Sequence, residues 1–128
     1  MTRAVRGAIQ VAADSRQSVH DAAVRLVAAL LEANGLAESD LVSLLFSMTI
    51  DLTAGNPATG LRGAGFTEVP LFCVQEAAVE GGMPRVIRVL ASFEVPGSWG
   101  TSGRVKATPV YLEGAATLRP DLDPQGPA

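Results

Sequence analysis

The sequence predicts an α+β fold, in which a mixed β-sheet packs against one long helix and several short helices. A 3.6-residue apolar period around residues 19–30 marks the long helix. Several short apolar runs, separated by turns that contain Gly or Pro, mark the strands. Since 128 residues is the size of one domain, we expect a single domain over residues 1–122 and a flexible, Pro-rich tail over residues 123–128.

The first strand and the long helix have the clearest signals. Apolar and polar residues alternate over residues 5–11, which places Arg6 on the face opposite the valines. The pair Asp14-Ser15 can cap the helix that follows. The pair Asn34-Gly35 predicts its end, because a left-handed residue commonly closes a helix.

The rest of the chain predicts further strands and one short helix. Apolar runs indicate strands over residues 41–49, 69–74, 85–95 and 108–112. The first of these suits a strand that is buried on both faces or packed beneath the long helix. Asn56 and Pro57 suit the cap and first turn of a helix that reaches Arg62, within a Gly-rich segment that we expect to line a site. Residues 96–103 predict a flexible loop, in which Trp99 covers a neighbouring side chain.

Composition excludes several classes of function. A net charge of -3 and a pI near 5.0 argue against nucleic acid as a partner. No apolar run is long enough for a signal peptide or a membrane span, so we expect no membrane partner. One cysteine, Cys73, excludes an intrachain disulfide and suits a reducing cytoplasm. The hydrophobic fraction of 48% in so small a domain indicates an oligomer.

Arg88 is the strongest single candidate for a functional residue. It stands inside an apolar strand, where a guanidinium needs a carboxylate partner or a bound anion. An ion pair with Glu94 or Glu113 and a ligand-binding role are about equally compatible with the sequence.

The sequence offers no clear nucleophile, general base or metal site. Cys73 would need a base, and the single histidine, His20, falls in the first turns of the long helix and is expected at its surface. These two residues are also too few for a metal cluster, so we expect no metal. Alone, Glu76 reads as an ordinary surface carboxylate and Tyr111 as a half-buried strand residue.

Five fragments carry a resemblance to a known family. They are Arg6-Gly7-Ala8, Cys73-Val-Gln-Glu76, Ile87-Arg88-Val89, Val110-Tyr-Leu-Glu113 and Leu118-Arg-Pro-Asp-Leu122. In this order and spacing they resemble the small monofunctional chorismate mutases of the trimeric α/β class, over almost the whole of residues 3–122. The resemblance implies a homotrimer that forms a pseudo-α/β-barrel, with three sites between subunits. It also implies the cofactor-independent conversion of chorismate to prephenate in aromatic amino acid biosynthesis.

The resemblance also implies roles for individual residues. Arg88 would donate to the ether oxygen of chorismate, and Arg6 and Tyr111 would hold a carboxylate. Glu76 and Cys73 would meet the ring hydroxyl. The remaining implied contacts bind substrate, either by adding positive charge or by shaping the wall: Arg62, Arg119, Ala58, Thr59, Leu71, Phe72 and Leu118.

The shortage of bases and nucleophiles is compatible with such a reaction. A pericyclic rearrangement of a dicarboxylate needs a compact conformer and donors at the oxygen where charge develops, and arginines supply both.

Four features depart from the family pattern. Asn56 stands where an aromatic residue is expected, and Thr59 where a lysine is common. Phe72 replaces a smaller residue. The loop over residues 96–108 is several residues longer than usual, and we favour a surface insertion over a modified lid.

Two other functions remain open from the sequence. One is an imine or enamine deaminase of a related trimeric fold, which also uses an interfacial arginine, although its Gly-Pro-Tyr-Ser segment is absent here. The other is a non-catalytic sensor that binds a dicarboxylate. Binding without turnover would identify the sensor.

Overall fold

The computed structural model describes residues 1–122, and the tail predicted over residues 123–128 lies outside this range. The described strands are β1 (Thr2–Gln10), β2 (Leu41–Met48), β3 (Leu71–Gln75), β4 (Val86–Glu94) and β5 (Val110–Leu112). The α-helices are α1 (Arg16–Asn34), α2 (Pro57–Gly63) and α3 (Gly97–Ser102). Short 3₁₀ turns cover Glu38–Asp40, Glu113–Leu118 and Pro120–Leu122.

The five strands form one sheet in the order β3-β2-β4-β1-β5. The central strand β4 is antiparallel to both of its neighbours, β2 and β1. Each edge strand is parallel to the strand beside it, so the sheet is mixed. The α+β prediction is therefore confirmed, and the single long helix is α1.

Helix α1 begins and ends where its sequence signals predict. The Ser15 side chain accepts a hydrogen bond from the amide of Ser18, and Gly35 closes the helix with a left-handed φ of 61°. The apolar face of α1 packs on the sheet through Val19, Ala22, Ala23, Leu26, Val27 and Leu30. A Cβ atom on Gly7 would lie 2.9 Å from the Cδ1 atom of Leu30 and 3.1 Å from the carbonyl oxygen of Val110, so a larger residue there would displace its neighbours.

Helix α2 packs beside α1 in the same layer. Asn56 caps it through the amide of Ala58, and Pro57 occupies its first turn, as predicted. A Cβ atom on Gly60 would lie 2.8 Å from the Cα atom of His20. His20 is therefore half-buried beneath α2, which corrects the prediction that it is an ordinary surface residue.

The sheet face opposite α1, called here the outward face, is largely open in one protomer. Leu45 and Leu90 are about two-fifths exposed on it, and Phe72 is 65% exposed. Within one protomer the strand at residues 41–49 packs beneath the helix, as one of the two alternatives predicted, and its outward face is open. The turn Glu113–Leu118 covers one end of this face, where Ala115 packs near Ala8 and Val86.

Residues 97–102 form helix α3, so the prediction of a flexible loop over residues 96–103 is wrong. Trp99 is buried, and its ring meets that of Phe93 edge-on with centroids 5.5 Å apart. Its Nε1 donates to the carbonyl of Asn34 over 2.8 Å. Trp99 does cover a neighbour, as predicted, and these contacts attach the segment to the end of α1.

No helix within residues 1–122 is long and apolar enough to cross a membrane.

Candidate active site

Arg88 and Glu76 form an ion pair at the outward face. The Nε atom of Arg88 lies 2.7 Å from Oε1 of Glu76, and the two side chains are 41% and 19% exposed. The predicted partners of Arg88 were wrong. Glu94 instead accepts from Thr2 and the terminal amine, and Glu113 pairs with Arg25. Arg88 is therefore tied to the carboxylate that follows β3.

Ser47 holds the same carboxylate oxygen. It stands opposite Arg88 in the pairing of β2 with β4, and its hydroxyl donates to Oε1 of Glu76 over 2.7 Å. The amide of Glu76 donates to the carbonyl of Met48 over 2.8 Å, which fixes the backbone as well. Within residues 1–122, Oε2 of Glu76 has no donor and remains open to a ligand.

A cavity of about 570 Å³ adjoins this pair. Its lining combines Glu76 and Arg88 with residues 49–51 and with the irregular segment between β3 and β4. This volume lies in the range of small-molecule sites. The ion pair therefore stands at the edge of a space that can hold a ligand.

Asp51 anchors the end of that irregular segment. Its carboxylate accepts two contacts from the amide of Arg85, at 3.0 and 3.2 Å, and one from the hydroxyl of Thr49 at 2.5 Å. Arg85 takes a left-handed φ of 53°, an unusual conformation for a residue with a side chain. The hydroxyl of Thr49 is the largest cause that lowers the pKa of Asp51. The start of β4 is thereby fixed three residues before Arg88.

Arg6 and Tyr111 lie on the same face as Arg88. Ala8 stands opposite both Arg88 and Tyr111, so Tyr111 is two strands from Arg88, roughly 10 Å at the usual strand spacing. Arg6 pairs with Leu90, one row further along. The sheet thus brings these three predicted residues together.

Arg119 reaches the same region from beyond β5. Its guanidinium carbon lies 5.7 Å from the ring centroid of Tyr111. Two hydrogen bonds of 3.0 and 3.1 Å join it to the carboxylate of Asp121. These bonds, and then a hydrogen bond with Tyr111, raise the pKa of Arg119. Its charge is therefore firmly held beside Tyr111.

The Cys73 thiol does not reach the outward face. Cys73 pairs with the buried Phe46 and packs against the core on the α1 side, and burial raises the pKa of the thiol. Leu71 faces the core in the same way. Both residues were predicted to meet substrate, but within this protomer only their main chain can do so. Phe72, between them, does point outward.

The predicted site residues of α2 also lie away from Arg88. Ala58, Thr59 and Arg62 belong to the helical layer on the other side of the sheet. The Nη1 atom of Arg62 donates to the carbonyl of Phe66 over 2.8 Å. Leu118 is exposed at the end of its 3₁₀ turn. One protomer therefore assembles only part of the predicted set.

Sequence reasoning missed Ser47 and Asp51. Neither belongs to a motif, and their roles depend on which strands become neighbours in the sheet. The apolar run over residues 41–49 did signal a strand, but its pairing with β4 is what sets Ser47 opposite Arg88. Among the described residues, no group of three or more His, Cys, Asp or Glu side chains is placed to hold a metal ion.

The fold and the site together define a small α+β protein in which an arginine–glutamate pair borders a cavity. Comparison with known proteins narrows this class. The sequence model of the family "Chorismate mutase type I" matches residues 2–122. The chain therefore belongs to the type I chorismate mutase family, whose members are isomerases.

Individual relatives agree with this family. The chain is 41% identical over 125 residues to "Chorismate mutase AroH" of Thermus thermophilus, covering 96% of this chain and 98% of the relative. It is 35% identical over 125 residues to "Chorismate mutase AroH" of Bacillus subtilis, covering 95% and 93%. A solved chorismate mutase from Clostridium thermocellum matches with a TM-score of 0.80 and 32% identity, over 90% of this chain and 98% of that one. These matches do not support the deaminase or the sensor.

Proposed function

We propose that this protein converts chorismate to prephenate, an intramolecular rearrangement in which a C–O bond breaks while a C–C bond forms. The observation that carries the proposal is Arg88, fixed by Glu76 at the border of a cavity and facing the same side of the sheet as Arg6 and Tyr111. No atom enters or leaves, so the protein needs no cofactor and acts by orientation and charge.

Arg88 stabilises the charge that develops on the ether oxygen. Its Nε lies 2.7 Å from Glu76, and this ion pair holds the guanidinium at the border of the cavity, where its terminal nitrogens can donate to the substrate. A preorganised donor is more effective than water because it need not reorient as the C–O bond breaks. The Glu76 carboxylate therefore aims the guanidinium as well as balancing its charge.

The other residues select the reactive conformer. Oε2 of Glu76 accepts from the ring hydroxyl, and Arg6 and Tyr111 hold a carboxylate. Arg119 adds positive charge at the mouth. Holding both ends of the substrate favours the compact chair in which the reacting carbons are close. Cys73 contributes through its main chain, since its thiol faces the core.

A second copy of the chain completes the site. Ala58, Thr59, Arg62 and Leu118 would reach Arg88 from a neighbouring subunit of a homotrimer, because one protomer separates α2 from the outward face. The exposed apolar side chains of that face support this assembly: Leu45, Phe72, Val74 and Leu90. Phe72 and Leu71 would help to shape the wall by side chain and by main chain, respectively. We further propose that residues 1–122 act as one domain in the cytoplasm, supplying phenylalanine and tyrosine synthesis.

The test is the loss of chorismate absorbance with purified protein, without added metal or cofactor. We expect turnover in the native protein and a decrease in kcat of roughly a thousandfold or more in Arg88→Ala, since one well-placed donor contributes about 3 to 4 kcal/mol. Arg16→Ala, which removes an exposed arginine at the start of α1, is the matched control and should behave as the native protein.

Each other outcome has a distinct meaning. Near-normal turnover in Arg88→Ala would remove Arg88 from the mechanism. Chorismate binding without turnover in the native protein would favour a sensor. If the native protein neither binds nor turns over chorismate, imine substrates should be tested next.

A further inference from the structure

A second cavity, here called the cationic groove, lies along the free edge of β1. Its volume is about 480 Å³. Strand β5 pairs only with residues 7–9 of β1, so residues 3–6 have no strand beside them on that side. The segment over residues 105–109 and Arg119 form the opposite wall. The groove therefore opens at the sheet edge and leads to Arg6.

Four basic residues line this groove, and no acidic residue does. They are Arg3, Arg6, Lys106 and Arg119. The whole chain has ten basic and 13 acidic residues, so its average field repels an anion. Nearby carboxylates are already engaged: Asp121 binds Arg119, and Glu94 binds Thr2 and the terminal amine. Since Asp121 offsets the charge of Arg119, it is Arg3, Arg6 and Lys106 that make the groove a local region of positive charge on an acidic protein.

The segment with α3 delivers Lys106 to the groove. Arg104 donates to the carbonyl of Ala33 over 2.8 Å, and Asn34 bonds both the amide and the carbonyl of Thr108. Trp99 also donates to the carbonyl of Asn34. The chain is therefore attached to the end of α1 both before Lys106, at Trp99 and Arg104, and after it, at Thr108. Lys106 itself is exposed and free of any ion pair within residues 1–122. The segment thus places Lys106 at the groove, without an ion-pair partner among the described residues.

We propose that Arg3 and Lys106 recruit the substrate, with the groove attracting a small dicarboxylate and delivering it to Arg6. The inference rests on the proposed function, because it needs a dianionic substrate. It assigns a role to Arg3, Lys106 and the longer segment that carries Lys106. Charged groups of this kind raise the rate of productive encounter without touching the reacting atoms.

The test measures kcat and kcat/KM for chorismate at increasing ionic strength. At low salt we expect Lys106→Gln and Arg3→Gln each to lower kcat/KM by about two- to fivefold, with kcat unchanged. The double variant should lower it by about five- to twentyfold and flatten its dependence on salt. Near 0.5 M salt, where the Debye length is only about 4 Å, the variants should approach the native value.

Two comparisons make the test specific. Arg16→Gln removes the same charge from the exposed first residue of α1 and should leave kcat/KM unchanged at every salt concentration. Arg3→Lys and Lys106→Arg keep the charge and should keep the native salt dependence. Since Lys106 is in an exposed segment, its variant provides a readout even if Arg3→Gln fails to fold.

The proposal is overturned if native kcat/KM does not depend on salt, or if Arg16→Gln lowers it as much as Lys106→Gln does. A fall in kcat instead of kcat/KM would also overturn it. If the native protein does not turn over chorismate at all, the proposed function itself fails. If the native protein and the variants are all active and have the same salt dependence, only the recruitment role of the groove fails.

Discussion

At the scale of the residue, the site depends on one carboxylate oxygen that accepts a hydrogen bond from Ser47 and pairs with the charge of Arg88. Oε1 of Glu76 binds Nε of Arg88 and the hydroxyl of Ser47, each at 2.7 Å. Because Ser47 and Arg88 stand opposite each other on adjacent strands, the sheet backbone fixes the position of both residues. Glu76 therefore presents its second oxygen in one orientation, and the ion pair also holds the guanidinium of Arg88 in place.

Ser47→Ala should lower chorismate kcat/KM by about tenfold or more, since a hydrogen bond to a charged group contributes about 1.5 to 3 kcal/mol. The decrease would arise because the Glu76 carboxylate is no longer held in its orientation. Ser47→Ala should therefore have no further effect on kcat/KM in a Glu76→Ala background. Ser47→Thr retains the hydroxyl and should restore most of the rate. Steady-state kinetics of the four proteins in this double-mutant cycle, together with Ser47→Thr, measure the coupling.

Ser43→Ala is the matched control for this prediction. It removes a hydroxyl from the same strand and the same face, opposite Ser92 and away from Glu76. Its kinetics should equal those of the native protein. Equal losses in Ser43→Ala and Ser47→Ala, or additive effects of Ser47→Ala and Glu76→Ala, would show that Ser47 acts through general stability.

At the scale of the element, the structures that depend on local sequence signals were predicted correctly, and those that depend on tertiary contacts were not. The caps of α1 at Ser15 and Gly35, and that of α2 at Asn56, were predictable because capping is local chemistry. Helix α3 was not, because its Gly- and Ser-rich sequence lacks helical propensity and Trp99 stabilises it through Asn34. The partner of Arg88 was misassigned since strand order is non-local.

The contacts of Asn34 predict that the segment after α3, from Arg104 to Thr108, depends on this one buried side chain. Asn34 is fully buried, and its amide group bonds Leu30, Thr108 and Arg104. Asn34→Ala should reduce the free energy of unfolding by about 2 to 4 kcal/mol, because several polar groups lose their partners. Urea denaturation followed by tryptophan fluorescence would measure this.

Trp99→Phe supplies the comparison, with circular dichroism replacing fluorescence as the signal. It keeps an aromatic ring against Phe93 but loses the Nε1 hydrogen bond to Asn34, so we expect a smaller loss of about 1 to 2 kcal/mol. If Asn34→Ala destabilised the protein by less than about 0.5 kcal/mol, the segment would be held by other contacts.

The anchor between Asp51 and Arg85 predicts a pH dependence of stability. Its hydrogen bonds with Thr49 and Arg85 lower the pKa of Asp51 below the ordinary 3.8. A carboxyl whose pKa is lowered by folding stabilises the folded state above its ordinary pKa, and this contribution is lost as pH falls through the folded pKa. The melting temperature of the native protein should therefore fall as the pH drops below 3.8 toward the lowered pKa of Asp51.

Asp51→Asn isolates this contribution. The amide cannot be ionised, so the variant should be less stable than the native protein at neutral pH but should lose less on acidification. Differential scanning calorimetry at a series of pH values would compare the two. Parallel curves, separated by a constant amount, would exclude Asp51 as a source of the acid dependence.

At the scale of the whole molecule, the two faces of the sheet differ in how far they are buried within one protomer. The α1 side is filled by the core, whereas the outward face exposes Leu45, Phe72 and Leu90 around the candidate site. A monomer rarely keeps so much contiguous apolar surface in water. The helix α2 lies on the other side of the sheet from Arg88, so the predicted contacts of Arg62 and Thr59 need another copy. Association with further copies of the chain would explain both the exposed apolar face and the separation of α2 from Arg88.

Leu45→Glu should therefore separate the subunits and remove activity together. A carboxylate introduced at the centre of the outward face would be desolvated in the trimer but solvated in a monomer, which shifts the equilibrium toward the monomer. Ala28→Glu adds the same charge on the exposed face of α1 and should leave both mass and turnover unchanged. Light scattering, with chorismate turnover measured on the same samples, tests both expectations. A native protein that scatters as a stable monomer and still turns over chorismate would overturn the trimer, and the site would then have to be complete within one chain.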